Sequence, residues 1–141
     1  MTVAIDKREI ETIQIFVSPT KRERYISFLS NEKRRKEFAS NLAHFNDFDP
    51  RRIVRIPNSS QTAAGIRKML KTRGAEDTCH AISELKDLDG KDMDLMTALE
   101  KVIGRGMGTL LCCSPIGLAY FENEDDRFIL ENVAPTRQEQ A

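Results

Sequence analysis

Three short apolar runs near the end of the chain constrain the fold more than any other feature. They cover residues 109–113, 118–121 and 128–130, and turns at 114–117 and 123–126 separate them. Apolar runs of this length joined by short turns predict β-strands. Each strand must lie antiparallel to the next, because a parallel connection needs a dozen or more residues. The C-terminal part therefore predicts a three-stranded antiparallel meander.

The segments before the meander alternate between strand and helix patterns. Residues 52–56 and 78–83 predict strands, and residues 61–73 and 93–103 predict helices. Leu99 shares an apolar stripe with Leu95 and Val102, so we expect it in the core. Each connection of about 20 residues is long enough to contain a helix and return the chain. The order β-α-β-α-β therefore predicts parallel neighbours for the first three strands.

The first third of the chain has a helical pattern instead. Asp6 and Glu9 have the spacing of a capping box, and Ile5 can pack on Ile10 as a hydrophobic staple. Thr20 is the expected cap of a second helix, and a third helix follows the break at residues 30–31.

The combined pattern predicts an α/β or α+β fold with N-terminal helices followed by a mixed β-α-β-α-β-β-β sheet. We expect a single domain over residues 1–134, with a helical part at 1–49 and a sheet part at 50–134. Residues 135–141 are polar and predict a frayed tail. A length of 141 residues suits one such domain.

Composition narrows the function classes. The chain has 22 basic and 22 acidic residues, and no apolar run approaches the length of a membrane span. Three cysteines, two of them adjacent, do not form a disulfide framework, so we expect a cytoplasmic protein. Residues 1–60 carry a net charge of +4 and residues 61–141 a net charge of −4. This asymmetry favours self-association through opposed faces or a charged protein partner.

Parallel strands would bring several polar residues to one sheet edge. In an open α/β sheet, ligands bind beyond the carboxyl ends of the parallel strands. That rule predicts a site for a small polar ligand, formed by hydroxyl, carboxylate and thiol groups. The alternative is that the serines before the helix at 61–73 only cap that helix. The candidate ligand-binding residues are Ser59, Ser60, Thr62, Glu84, Asp87 and Cys113.

Other motifs give weaker signals. The acidic loop at residues 87–94 offers oxygen ligands but lacks EF-hand spacing, and a turn at Asp89–Gly90 with a cap at Asp92 is the favoured explanation. The glycine-rich segment 104–108 follows a helix, whereas a phosphate loop follows a strand. Cys79, His80, Cys112 and Cys113 lack zinc-ligand spacing, although His80 and a cysteine on a neighbouring strand could form a pair. No metal or cofactor is predicted.

Two function classes remain. The leading one is a non-enzymatic interaction or regulatory module that binds a protein partner or associates with itself as a homo-oligomer. The alternative is a small polar-ligand-binding protein or enzyme that uses the predicted edge site; no catalytic residues are assigned. The basic run at residues 21–36 could bind phosphates, but the acidic second half of the chain argues against nucleic acid.

Overall fold

A single antiparallel sheet organises the chain. The computed structural model describes residues 6–113, 115 and 117–132. In this part of the chain the helices are α1 (Lys7–Phe16), α2 (Arg22–Leu29), α3 (Glu32–Asn41), α4 (Ala63–Thr72) and α5 (Leu95–Val102), and the strands are β1 (Ile53–Arg55), β2 (Thr78–Ser83), β3 (Asp92–Asp94), β4 (Thr109–Cys113), β5 (Leu118–Glu122) and β6 (Arg127–Glu131).

The six strands lie in the order β1-β6-β5-β4-β2-β3, and every neighbouring pair is antiparallel. Strands β4, β5 and β6 form the meander that their short connections predict. The fold is therefore α+β. The predicted parallel strands are wrong, because β2 and β4 pair antiparallel and β1 pairs with β6 rather than with β2.

Strand β3 explains this difference. It pairs with β2 through Cys79 and Met93 and reverses the chain before α5 begins. Because β3 already runs opposite to β2, the crossover through α5 places β4 in the direction of β3, and β4 is therefore antiparallel to β2. Met93 and Asp94 were expected inside the helix, and Asp92 was expected to cap it. Instead, Asp94 caps α5 by accepting a hydrogen bond from the Thr97 backbone N–H.

Two apolar cores lie on opposite faces of the sheet. Helices α1, α2 and α3 contribute to one core, and α4 and α5 contribute to the other. Alternation along β4 divides its residues between them: Leu110 and Cys112 enter the first core, whereas Leu111 and Cys113 enter the second. Helices on both faces explain why β4 is a continuous apolar run rather than an alternating one.

The helix starts agree only partly with the predicted caps. The Asp6 carboxylate caps α1, as expected, by accepting from the Arg8 backbone N–H at 2.8 Å. Glu9 does not complete the predicted capping box, because its carboxylate contacts Arg35 and His80. The staple involving Ile5 and the tail at 135–141 lie outside the described residues. Thr20 does not cap α2; a 3₁₀ turn at Pro19–Lys21 runs directly into that helix. No helix in the described part of the chain combines the length and apolarity of a membrane span.

Candidate functional site

The structure does not bring the predicted edge residues together. Strands β1 and β2 point the same way, so the segments that follow them leave the sheet at the same end. However, β6, β5 and β4 lie between them. Strands β1 and β2 lie four spacings apart in the sheet, about 19 Å. Ser59, Ser60 and Thr62 follow β1, whereas Glu84 and Asp87 follow β2. Thr62 caps α4 by accepting from the Gly65 backbone N–H.

Cys113 lies at the other end of the sheet. It pairs with Cys79 at the start of β2, whereas Glu84 follows the last residue of β2. The antiparallel pairing of β2 and β4 causes this separation, because the end of one strand meets the beginning of the other. The Glu84 carboxylate instead accepts from the Gly108 backbone N–H at 2.6 Å.

The glycine-rich segment is held by carboxylates of the chain itself. Buried Glu122 accepts hydrogen bonds from the backbone N–H groups of Gly104 and Gly106, at 3.3 and 3.0 Å. Glu84 accepts from Gly108 in the same way. The N–H groups of these alternate glycines therefore bind internal carboxylates, and the segment anchors the entry to β4.

A buried ionic cluster joins α1 to the sheet. His80 lies on β2 with only 2% of its surface exposed, and Glu9 on α1 is 1% exposed. The two side chains meet at 2.6 Å between His80 Nε2 and Glu9 Oε2. On the other side of the ring, His80 Nδ1 lies 2.6 Å from Asp92 Oδ1 on β3. Each ring nitrogen of His80 therefore faces a carboxylate.

Arg35 extends this cluster to α3. Its guanidinium donates two hydrogen bonds to Glu9, at 2.6 and 2.8 Å, and two to Asp89, at 3.0 and 3.1 Å. Asp89 also accepts from the Ser83 backbone N–H. Both carboxylates are thus bound in the bidentate geometry that the planar guanidinium favours. Arg35 links α1, α3 and the loop after β2.

Arg8 lies at the exposed mouth of the cluster. One of its terminal nitrogens, Nη2, lies 2.8 Å from Asp6 Oδ2, 2.8 Å from Asp92 Oδ1 and 3.3 Å from His80 Nδ1. The Arg8 side chain is 32% exposed, and that of Asp92 is 60% exposed. One carboxylate oxygen of Asp6, one of Asp92 and a ring nitrogen of His80 all lie within 4.8 Å of one another. A single cationic nitrogen therefore contacts all three groups.

The cluster shifts the pKa values of His80, Glu9 and Asp6. Burial lowers the pKa of His80, but its hydrogen bonds with Glu9 and Asp92 outweigh burial and raise it. Burial raises the pKa of Glu9, and the contacts with Arg35 and His80 reverse this and lower it. The hydrogen bond from Arg8 lowers the pKa of Asp6 to about 2. These shifts favour the ionised carboxylates and the protonated imidazole.

The cysteines do not form the thiol–histidine pair that the sequence left open. Cys112 pairs with His80 across β2 and β4, but both ring nitrogens of His80 already face carboxylates. Burial raises the pKa of Cys79 and of Cys112 to about 12, against a smaller opposing effect of a hydrogen bond with Thr12 at Cys112. Burial also raises the pKa of Cys113. A thiol of this kind is a poor nucleophile.

We therefore expect the cysteines of the native protein to resist modification by Ellman's reagent. Cys79, Cys112 and Cys113 are all buried, so their thiols should react only after unfolding. Absorbance at the thionitrobenzoate band should show no rapid phase in buffer and three thiols per chain in guanidinium chloride. Rapid reaction of one native thiol would contradict this expectation and favour a cysteine nucleophile.

Two adjacent hollows lie on the surface between α2 and α3. Their volumes are about 290 and 470 Å³, and both are lined by Arg24, Ser40 and Asn41. The larger hollow also contacts Phe28 and Lys36. We call these five residues the α2–α3 groove. Neither Arg24 nor Lys36 forms an ion pair within the described chain, and the Arg24 guanidinium lies 5.6 Å from the centre of the Phe28 ring.

Sequence reasoning missed the ionic cluster. It treated Asp6 and Glu9 as capping residues, Asp92 as part of an acidic loop, and His80 as a partner for cysteine. The available signal was the position of His80 in the middle of a predicted strand, between Cys79 and Ala81. A buried imidazole needs polar partners. The sequence did not show that those partners come from α1 and β3.

Comparison with known proteins supplies no relative. No family model matches the chain, and no match was found among the curated proteins or the solved structures.

Proposed function

We propose that this protein is a non-enzymatic interaction module that binds an acidic segment of a protein partner in the α2–α3 groove. The observation that carries the proposal is the pair of exposed cations in the groove, Arg24 and Lys36, which have no carboxylate partner in the described chain. Ser40 and Asn41 line the same hollow and offer hydrogen bonds. Carboxylates of a partner would satisfy both kinds of group.

The remaining chemistry of the chain supports binding rather than catalysis. The thiols are buried and have raised pKa values, and His80 is enclosed by Glu9 and Asp92. Glu84 and Glu122 hold the glycine-rich segment. These groups stabilise the fold. Ser40 and His44 both line the smaller hollow, but no hydrogen bond joins them among the described residues, and His44 Nδ1 faces Glu124 and Asp125 instead.

The surroundings of the groove favour an acidic peptide over nucleic acid. Glu37 lines the larger hollow, and Asp47 lines the smaller one. At the end of the smaller hollow, exposed His44 lies 3.3 Å from Glu124 and 3.5 Å from Asp125. These carboxylates would repel a continuous phosphate backbone, whereas an extended peptide can present isolated acidic side chains to Arg24 and Lys36.

The test is selection from a random displayed peptide library, followed by fluorescence anisotropy with a selected peptide. We expect acidic sequences whose affinity falls as salt rises, because the contacts with Arg24 and Lys36 are exposed. The double variant Arg24→Ala/Lys36→Ala should weaken binding of the peptide at least about tenfold. It removes both cations that we propose contact the carboxylates of the peptide.

The matched control is Lys68→Ala/Lys101→Ala, which removes two exposed cations from α4 and α5 on the other face of the sheet. Equal losses in the two double variants would mean that only net charge matters, and the proposal would fail. Selection of neutral sequences, or tighter binding of an oligonucleotide, would also overturn it. Sedimentation of both double variants tests for self-association. If Arg24→Ala/Lys36→Ala abolishes a dimer that Lys68→Ala/Lys101→Ala retains, the acidic segment belongs to a second copy of the chain.

A further inference from the structure

We propose that Asp6, His80 and Asp92 form a binding site for a divalent transition-metal ion, and that the Arg8 guanidinium takes the place of the metal when none is bound. The geometry on which this rests is the convergence of two carboxylate oxygens and one imidazole nitrogen within 4.8 Å. His80 Nδ1 lies 2.6 Å from Asp92 Oδ1 and 3.8 Å from Asp6 Oδ2. Both distances are below about 4.4 Å, the largest separation that two ligand atoms can have when each is about 2.0–2.2 Å from one metal ion.

The position of Arg8 marks where a cation is stable. Its Nη2 atom contacts all three prospective ligands, at 2.8, 2.8 and 3.3 Å. Arg8 is 32% exposed, so its side chain can rotate into solvent when a metal ion replaces it. The ion would then supply the positive charge that Asp6 and Asp92 lose. Arg8 and the metal ion are thus competitors for the same carboxylates.

The far side of His80 has the partners that a metal-binding histidine needs. When Nδ1 binds the metal ion, the imidazolium releases its Nδ1 proton to solvent, and the proton that remains on Nε2 is donated to Glu9 Oε2 at 2.6 Å. Glu9 is itself held by two hydrogen bonds from Arg35. A carboxylate that accepts from the second ring nitrogen fixes the tautomer and orientation of a ligating histidine. Glu9 and Arg35 therefore act as positioning residues for this site.

The ligand set indicates the class of metal. One imidazole nitrogen and two carboxylates favour zinc, manganese, iron or cobalt over magnesium and calcium, which prefer oxygen ligands alone. The ligands come from α1, β2 and β3, so a bound ion would fasten the first helix to the edge of the sheet.

Isothermal titration with Zn²⁺ tests the proposal in a His44→Ala background. This background removes the second potential cluster, in which His44 faces Glu124 and Asp125. We expect one Zn²⁺ ion per chain. Asp92→Asn should weaken binding more than about tenfold, because it removes a ligand. Arg8→Ala should tighten binding about tenfold, because a competing charge is lost, whereas Arg8→Lys should leave the affinity nearly unchanged.

Nitrogen-15 chemical shifts of the His80 ring provide the second readout. Zn²⁺ should convert the ring to the form with a proton on Nε2 and the metal on Nδ1. The proposal is overturned if the His44→Ala protein binds no Zn²⁺, if Asp92→Asn retains full affinity, or if Arg8→Ala weakens binding. Circular dichroism of each variant confirms that it is folded before titration. Asp92 and Arg8 are both partly exposed, which favours retention of the fold in these variants.

Discussion

Replacement of Arg35 by alanine is expected to lower the free energy of unfolding by about 3–5 kcal/mol, the cost of breaking a buried ion pair by removing one partner. The Arg35 side chain is 15% exposed, and it holds Glu9, which is 1% exposed, together with Asp89. Without Arg35, His80 is the one remaining hydrogen-bond partner of the Glu9 carboxylate among the described residues, and Glu9 keeps its full desolvation cost. Urea denaturation followed by circular dichroism measures the loss.

Arg34→Ala is the matched control for this prediction. Arg34 is the preceding residue on α3, but it is half exposed, and its contacts are the Phe28 ring at 4.6 Å and a long ion pair with Glu37 at 3.9 Å. Its loss should cost about 0.5–1 kcal/mol. The double variant Glu9→Gln/Arg35→Met should be more stable than Arg35→Ala, because it leaves no buried charge without a partner. Equal stabilities of Arg34→Ala and Arg35→Ala would contradict the assignment.

Local signals predicted most of the fold. Strands β2 and β4 have the predicted bounds, because apolar runs between turn residues specify a strand without reference to the rest of the chain. The meander followed from turn length alone. Strand β3 escaped prediction because three residues are too few to establish an alternating pattern. That short strand decides whether β4 lies parallel or antiparallel to β2, so one local omission changed the sheet topology.

The predicted edge site depended on that topology, whereas the ionic cluster depends on contacts between distant residues. Glu9 and His80 are separated by 71 positions in sequence, and Arg35 and Asp89 by 54. Their pairing requires α1 and α3 to pack on the same face of the sheet. Periodicity shows which face of each helix is apolar, but it does not show which face of the sheet that helix covers. The polar partners of His80 therefore could not be predicted from local patterns.

Truncation of Leu99 to alanine is expected to lower the free energy of unfolding by about 2–5 kcal/mol, the range for a buried leucine. Leu99 is fully buried on α5, in the core that includes Leu95, Val102 and Leu70 of α4. The truncation removes apolar contacts and leaves a cavity. The sheet and α4 limit how far neighbouring side chains can move into that cavity. The expected loss in free energy of unfolding is therefore much larger than for a substitution at the surface.

Glu100→Ala provides the comparison, because Glu100 is the next residue on α5 and is exposed. It should change the free energy of unfolding by no more than about 0.5 kcal/mol. Urea denaturation of both variants should give similar slopes, since the surface exposed on unfolding is nearly the same. A loss below about 0.5 kcal/mol for Leu99→Ala would mean that the inward face of α5 is wrongly assigned. If Leu99→Ala lowers the free energy of unfolding strongly and Glu100→Ala does not, the second core lies between α4, α5 and the sheet. This result does not depend on the ionic cluster, which lies on the opposite face.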